Sequence, residues 1–431
     1  MNKLLLHCFP VFLLILVISC HKDSDTNSPA ITLVRPAQGA VYNVYDTIWI
    51  SALISDESKL ESVKVSLLDK DQKPILVPQM FTPSTSEYTL NTGIPIDDIH
   101  LETGTYSLQV KAFDGFNYTN AYKEILIREI PLKLKSVVLL SRGGIYSIDI
   151  SILSESGTWN KIFFLNGDYK ASDICSFDQL VFTAGARSGN LNATSLPVGP
   201  VVWQVPLLSS PPYRYFEDIL YLSPLLYVAN YNGSIYGYNR NGTVIYSSNV
   251  FPDYFPEKLG FTNNFLLADL HSKTGNVSLL AAYYLATGSY MQSTNLTMDV
   301  IAFETVDNDN VLVFGNEGSI GKILEYTISQ NKLRVLKVFP DGIIHAIARK
   351  DDQNIFIAGN QAVHWYIRPT NTLVEFLPGK QNALIDFDKV NNRLYALSNH
   401  NLATYEMFNS TPVLNIPVVD SALALHLLYN K

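Results

Sequence analysis

Cysteine is the scarcest informative residue: three in 431, at Cys8, Cys20 and Cys175. Cys8 and Cys20 lie at the apolar N-terminus, so only Cys175 falls in the body of the chain. A lone body cysteine excludes a disulfide framework, and within Ser172-Asp173-Ile174-Cys175-Ser176-Phe177 it reads as a small buried hydrophobe on a strand. Charge is also sparse. Asp, Glu, Lys and Arg make up 16% of residues, against about 25% in ordinary soluble domains. With a net charge of −8 and no cluster of Lys and Arg, the chain has no phosphate-binding face, which excludes nucleic acid as a partner. There is no Gly-x-Ser-x-Gly elbow, no His-Glu-x-x-His helix and no Gly-rich phosphate loop ending in Lys-Ser/Thr.

A repeat is present instead. Short apolar β-rich runs begin at Val137, Leu180, Leu225, Phe265, Val311, Ile355 and Leu394, at intervals of roughly 38 to 46 residues, the period of a four-stranded blade. The clearest unit runs from Leu225 to Ser247, with three strands separated by Asn232-Gly233 and Asn241-Gly242. Asn-Gly is the strongest short hairpin signal and predicts type I′ turns with both central residues at positive φ. This unit resembles the blades of quinoprotein-like and WD40-like propellers. A further strand precedes later runs, as in Ile344–Ala348 and Ala383–Phe387. The first run lacks such a strand, whereas Ser421–Leu428 supplies one at the end of the chain. The C-terminal strand is therefore expected to close the first blade and remove the sheet edges. The expected fold class is all-β: an N-terminal sandwich, then a seven-bladed propeller over 131–431.

Residues 30–130 have a different rhythm. Thr47–Ile54 and Val63–Leu67 alternate, and Gly104–Gly115 enters on Gly-Thr-Tyr, alternates and ends at Asp114-Gly115. A span of this size with alternating strands reads as a β-sandwich, and it resembles the Ig-like and fibronectin-like modules of bacterial surface proteins. Asp56, Glu57 and Asp114 have the side chains of a calcium site, but turn chemistry accounts for them more simply. Pro131 ends the module.

The N-terminus carries Lys3, then an apolar stretch from Leu4 to Ile18 broken by His7 and Pro10, too short for a comfortable membrane span. It ends in Val17-Ile18-Ser19-Cys20, which resembles the lipobox of bacterial lipoproteins. The resemblance implies removal of residues 1–19 and acylation of Cys20, giving an outer-membrane lipid anchor. Residues 20–29 form a polar tether, and Lys22-Asp23-Ser24-Asp25 resembles the acidic export signal of Bacteroidota lipoproteins. Display on the surface and a periplasmic orientation both stay open.

Candidate chemistry is thin. His345 and His426 fall on expected channel-lining strands, where a hydrogen-bonded histidine is the simpler reading than a ligand or base. Asp386 and Asp388 share one strand face at i, i+2, while Asp307 and Asp309 fall in a turn. Nothing calls for a metal or a cofactor. Aromatics are richer, and the loop residues Tyr213, Tyr215, Tyr231 and Tyr254 are the candidate ligand-binding rim for a protein or a glycan. The expected function is a non-catalytic envelope lipoprotein whose propeller is a binding or scaffolding platform. The alternatives are an accessory subunit of an outer-membrane assembly or uptake machine, for which the propeller lipoprotein of the β-barrel assembly complex is an analogy, and a propeller enzyme acting on glycans. A quinoprotein would need regular blade tryptophans, and the four here are Trp49, Trp159, Trp203 and Trp365.

Overall fold

Strands build almost all of the regular structure: a single 3-10 turn at Arg368–Thr370 is the one helical element among the described residues. The computed structural model describes residues 26–154, 156–207, 215–379, 384–398, 400–407, 409–418 and 421–431. The expected signal peptide, Cys20, most of the tether and Tyr213 lie outside them. The chain divides into two compact units, one ending at Pro131 and one beginning at Leu132.

In the first unit, Ala30–Arg35, Thr47–Ser55 and Glu87–Pro95 form a three-stranded antiparallel sheet. A five-stranded sheet has the order Ala40–Asn43, Tyr118–Arg128, Gly104–Phe113, Ser62–Leu68, Gln79–Phe81, with its first pair parallel. The alternation in Thr47–Ser55 points Ile48, Ile50, Ala52 and Ile54 inward, where they pack with Val63, Val65, Leu108, Val110, Ile125 and Ile127. Each larger member contributes about 1.5–3 kcal/mol by leaving water. Asp56 and Asp114 are turn residues: Asp56 Oδ1 accepts the Ser58 amide at 2.8 Å, and Asp114 Oδ1 accepts those of Phe116 and Asn117 at 2.6 Å.

The described residues of the second unit form seven four-stranded antiparallel sheets. The first consists of Ala422–Tyr429, Leu134–Gly144, Ser147–Leu153 and Trp159–Asn166, so the C-terminal strand pairs with the strand that opens the unit. The other six are consecutive meanders whose first strands are Ala171–Cys175, Phe216–Leu222, Tyr254–Phe261, Asp299–Thr305, Ala346–Asp351 and Leu384–Asp388. Each first strand packs on the first strand of the next sheet, and the series returns through Ala422–Tyr429 to Ala171–Cys175, closing a ring around a channel. The apolar runs of the repeat are the second strands. Leu226–Asn230 is buried throughout because neighbouring sheets cover both faces, whereas the fourth strand Lys332–Val338 is largely exposed.

Two details differ from expectation. At Asn232-Gly233 and Asn241-Gly242 only the glycines have positive φ, 101° and 77°. The asparagines and their neighbours work through side chains instead: Asn232 Oδ1 accepts the Ser234 amide, and Asn239 Oδ1 accepts those of Asn241 and Thr243. These are longer, side-chain-braced loops rather than type I′ turns. His345 precedes its strand by one residue, and its Nε2 lies 3.0 Å from Asn360 Oδ1. Cys175 is fully buried and burial raises its thiol pKa.

Candidate functional site

In an antiparallel sheet the start of the first strand lies beside the end of the second. On the second, third and fourth sheets of the ring this end gathers an unusual set of side chains. Lys170 stands just before its strand, and its Nζ lies 2.9 Å from Glu217 Oε2 and 3.3 Å from Glu257 Oε1. Glu257 Oε2 is 3.5 Å from His271 Nε2, which pairs at 2.8 Å with Asp269 Oδ2. Ser278 Oγ holds the imidazole from its other side, 3.3 Å from Nδ1.

An aromatic ladder continues outward from the imidazole. Phe255 stacks on His271 with centroids 5.8 Å apart, Tyr231 lies 4.9 Å from Phe255, and the Lys273 ammonium sits 5.3 Å above the Tyr231 ring. Tyr231 is tied back by its amide to the Tyr215 carbonyl at 2.8 Å. The Tyr254 backbone packs against Gly233, where an added Cβ would come 2.8 Å from the Tyr254 oxygen. Three of the four tyrosines expected to form a rim thus converge on one end of the ring, all half-buried. Tyr215 and Tyr254 lean on the inter-sheet cores, so Tyr231 has the most rim-like environment.

Electrostatically, burial drives the Asp269 pKa up, opposed by the hydrogen bond from His271. Burial pulls His271 down, yet the bond to Asp269 and the charges of Asp269, Glu257 and Asp299 raise it overall. The imidazole therefore holds its proton to higher pH than it would in water, as a cation among carboxylates.

The channel contains a second titratable group, tied into the backbone. Asp173 accepts the Tyr221 amide of the next sheet at 2.6 Å, Asp218 accepts the Leu259 amide at 3.0 Å, and Asp386 accepts the Leu427 amide on the closing strand. Burial lifts Asp173 to about 6 and Asp386 to about 7, although part of each side chain reaches the channel. Burial pulls His426 down to about 4, and its Nε2 lies 2.7 Å from Ser172 Oγ. Asp388 is buried and accepts from Tyr429 Oη at 3.2 Å, so the Asp386–Asp388 face is directed at the closing strand. Asp307 and Asp309 cap turns through Asn310 and Ser329. Among the described residues no group of three His, Cys, Asp or Glu could hold a metal ion.

Sequence reasoning missed Lys170, Glu217, Phe255, Glu257, Asp269, His271 and Lys273. The available signal was Asp269 and His271, two titratable residues at i, i+2 inside the otherwise apolar Phe265-Leu266-Leu267-Ala268-Asp269-Leu270-His271 run.

No protein-family model and no curated protein sequence matches the chain. Solved structures that it resembles are β-propellers. A quinonprotein alcohol dehydrogenase-like protein from Bacteroides thetaiotaomicron has 10% identity and a TM-score of 0.48, with 93% of this chain and 99% of that one covered. The WD40 β-propeller domain of Doa1 has 12% identity and a TM-score of 0.48 over 62% and 88%. BamB from Moraxella catarrhalis has 11% identity and a TM-score of 0.42 over 69% and 95%. Likeness at this level assigns no activity.

Proposed function

We propose that the chain is an envelope lipoprotein, held by acyl chains on Cys20, in which an Ig-like sandwich (30–130) precedes a seven-bladed propeller (131–431) acting as a non-catalytic binding platform. The observation that carries this reading is the partly exposed Tyr231–Phe255–His271 ladder at one end of the ring, beside the Lys170–Glu217–Glu257 ion network. Aromatic rings supply contact area at little entropic cost, and a fixed polar network beside them holds their orientation. Asp173 and Asp386, whose pKa burial raises, accept backbone amides of neighbouring strands, which supports a structural role for them. No helix among the described residues is long and apolar enough to cross a membrane. The partner is a protein segment or a glycan that docks on the rim, with no cofactor.

The test is crosslinking in intact cells, comparing the wild type with a Tyr231→Ala/Phe255→Ala variant, after protease treatment has established on which side of the outer membrane the ring lies. The double variant is expected to lose at least about tenfold of the crosslinked partner while keeping its melting temperature, as for central aromatic anchors. Equal crosslinking by both proteins would remove the rim as the binding face.

A further inference from the structure

A second binding surface, separate from the ring and its rim, lies on the first unit. The outward face of the three-stranded sheet is a set of side-chain rows fixed by strand register. Trp49 stands opposite Gly93; Arg35, Ser51 and Asn91 form the next row; Thr32, Leu53 and Thr89 the one after; Ala30, Ser55 and Glu87 the last. Trp49 is 64% exposed, a large area for an aromatic with no other role on that face. Its ring lies across Gly93: a Cβ built there would meet Cζ3 and Cε3 at 3.1 and 3.2 Å. A glycine in mid-strand weakens the sheet, and here it leaves room for the indole edge and for Thr47 Cγ2, which a Cβ would meet at 2.8 Å.

Two shallow depressions flank this row on the same sheet. One, of about 210 Å³, is lined by Arg35, Trp49, Ile50, Ser51, Asn91 and Thr92. The other, of about 360 Å³, is lined by the apolar Ala30, Leu53, Ile54 and Tyr88 together with Thr32, Ser55, Thr89 and Glu87. The lining chemistry selects the occupant. Hydroxyls, a carboxamide and a guanidinium offer donors and acceptors in a flat array, while only Arg35 and Glu87 carry charge. Trp49, Val34 and Leu53 are exposed apolar side chains of this face, and Ser51, Arg35, Thr32 and Thr89 intersperse them with polar groups. A pyranose ring has the complementary shape: an apolar C–H face for the indole and equatorial hydroxyls for the polar row.

We propose that this sheet face binds a neutral polysaccharide, with Trp49 stacking on one sugar ring and Arg35, Ser51 and Asn91 bonding its hydroxyls. The site is independent of the propeller rim, so either can fail alone. The test is affinity electrophoresis of the full chain in gels containing amylopectin, xyloglucan, galactomannan or mixed-linkage β-glucan, with heparin as the polyanionic control. At least one neutral polysaccharide is expected to retard the protein. Trp49→Ala is expected to weaken that binding at least about tenfold and Asn91→Ala several-fold, whereas Tyr231→Ala/Phe255→Ala leaves it unchanged. Circular dichroism checks that each variant is folded. Absence of retardation by all four polymers, retardation by heparin alone, a Trp49→Ala variant that binds as the wild type, or a Trp49-dependent dimer in sedimentation would overturn the proposal.

Discussion

Replacing Asp386 by Asn isolates the carboxyl at the junction between the seventh sheet and the closing strand. Asp386 accepts the Phe387 amide at 2.7 Å and the Leu427 amide across the junction. Burial lifts its pKa from 3.8 to about 7; Asp173 adds to the rise, and the two amides and Lys389 oppose it. Because the folded value is raised, the stability that this group contributes is fully present below pH 3.8 and is lost as pH climbs through about 7. At about 1.36 kcal/mol per pH unit the ceiling is about 4 kcal/mol, and water in the channel reduces the expected effect to about 1–2 kcal/mol. Asparagine keeps an oxygen to accept both amides and cannot ionise. Asp386→Asn should therefore match the wild type at pH 4 and exceed it by about 1–2 kcal/mol at pH 8, a shift of a few degrees in melting temperature. Denaturant unfolding at pH 4, 6 and 8, followed by tryptophan fluorescence, measures the gap. A variant no more stable than the wild type at pH 8, or a gap of equal size at pH 4, would refute the argument.

His426 works in the opposite direction: burial lowers its pKa from 6.5 to about 4, so its contribution is complete above pH 6.5 and is lost as pH falls through about 4. His426→Gln, which cannot be protonated, should flatten the acid side of the stability profile between pH 6.5 and 4, and an unchanged slope would contradict this. Ending the chain at 420 removes Ala422–Tyr429, including buried Leu425, Leu427 and Leu428. That forfeits about 5–9 kcal/mol of apolar burial, comparable with the about 5–15 kcal/mol stability of a typical protein. The truncated protein should aggregate through the open edge of Leu134–Gly144, and a soluble monomer with native near-ultraviolet dichroism would show that closure is dispensable.

The second strands were legible because their neighbours bury both faces, which forces continuous apolar runs such as Leu226–Val228 and Val311–Phe314. Fourth strands were harder to place: Val201–Val205 and Lys332–Val338 face water on one side, so packing constrains their side chains little. The C-terminal strand could be anticipated by counting, since one run lacked a first strand and one strand was left over. The turns were only half legible. Asn-Gly marked their positions, but their geometry depends on Asn232 and Asn239 bonding to amides two and four residues away.

The candidate site was less legible for a topological reason. Lys170, Glu217 and Glu257 belong to three successive sheets, and their sequence spacing of 47 and 40 residues carries no sign of contact until the ring brings the strand starts together. The same circularity made carboxylates ambiguous in the opposite sense. Asp386 and Asp388 had the spacing of a paired acid site, yet the acceptors they provide are taken by Leu427 and Tyr429 on a strand 41 residues further on. Asp173 and Asp218 repeat the device toward Tyr221 and Leu259, and Glu304 with Arg349 at 3.3 Å bridges the fifth and sixth sheets by side chains instead. The first-strand carboxylates that join neighbouring sheets lie apart from the paired Lys170–Glu217–Glu257 network and the aromatic ladder at one end of the ring. There Tyr231, Phe255 and His271 stack in series, with the imidazole held by Asp269 and Ser278, and form the face proposed above for a partner.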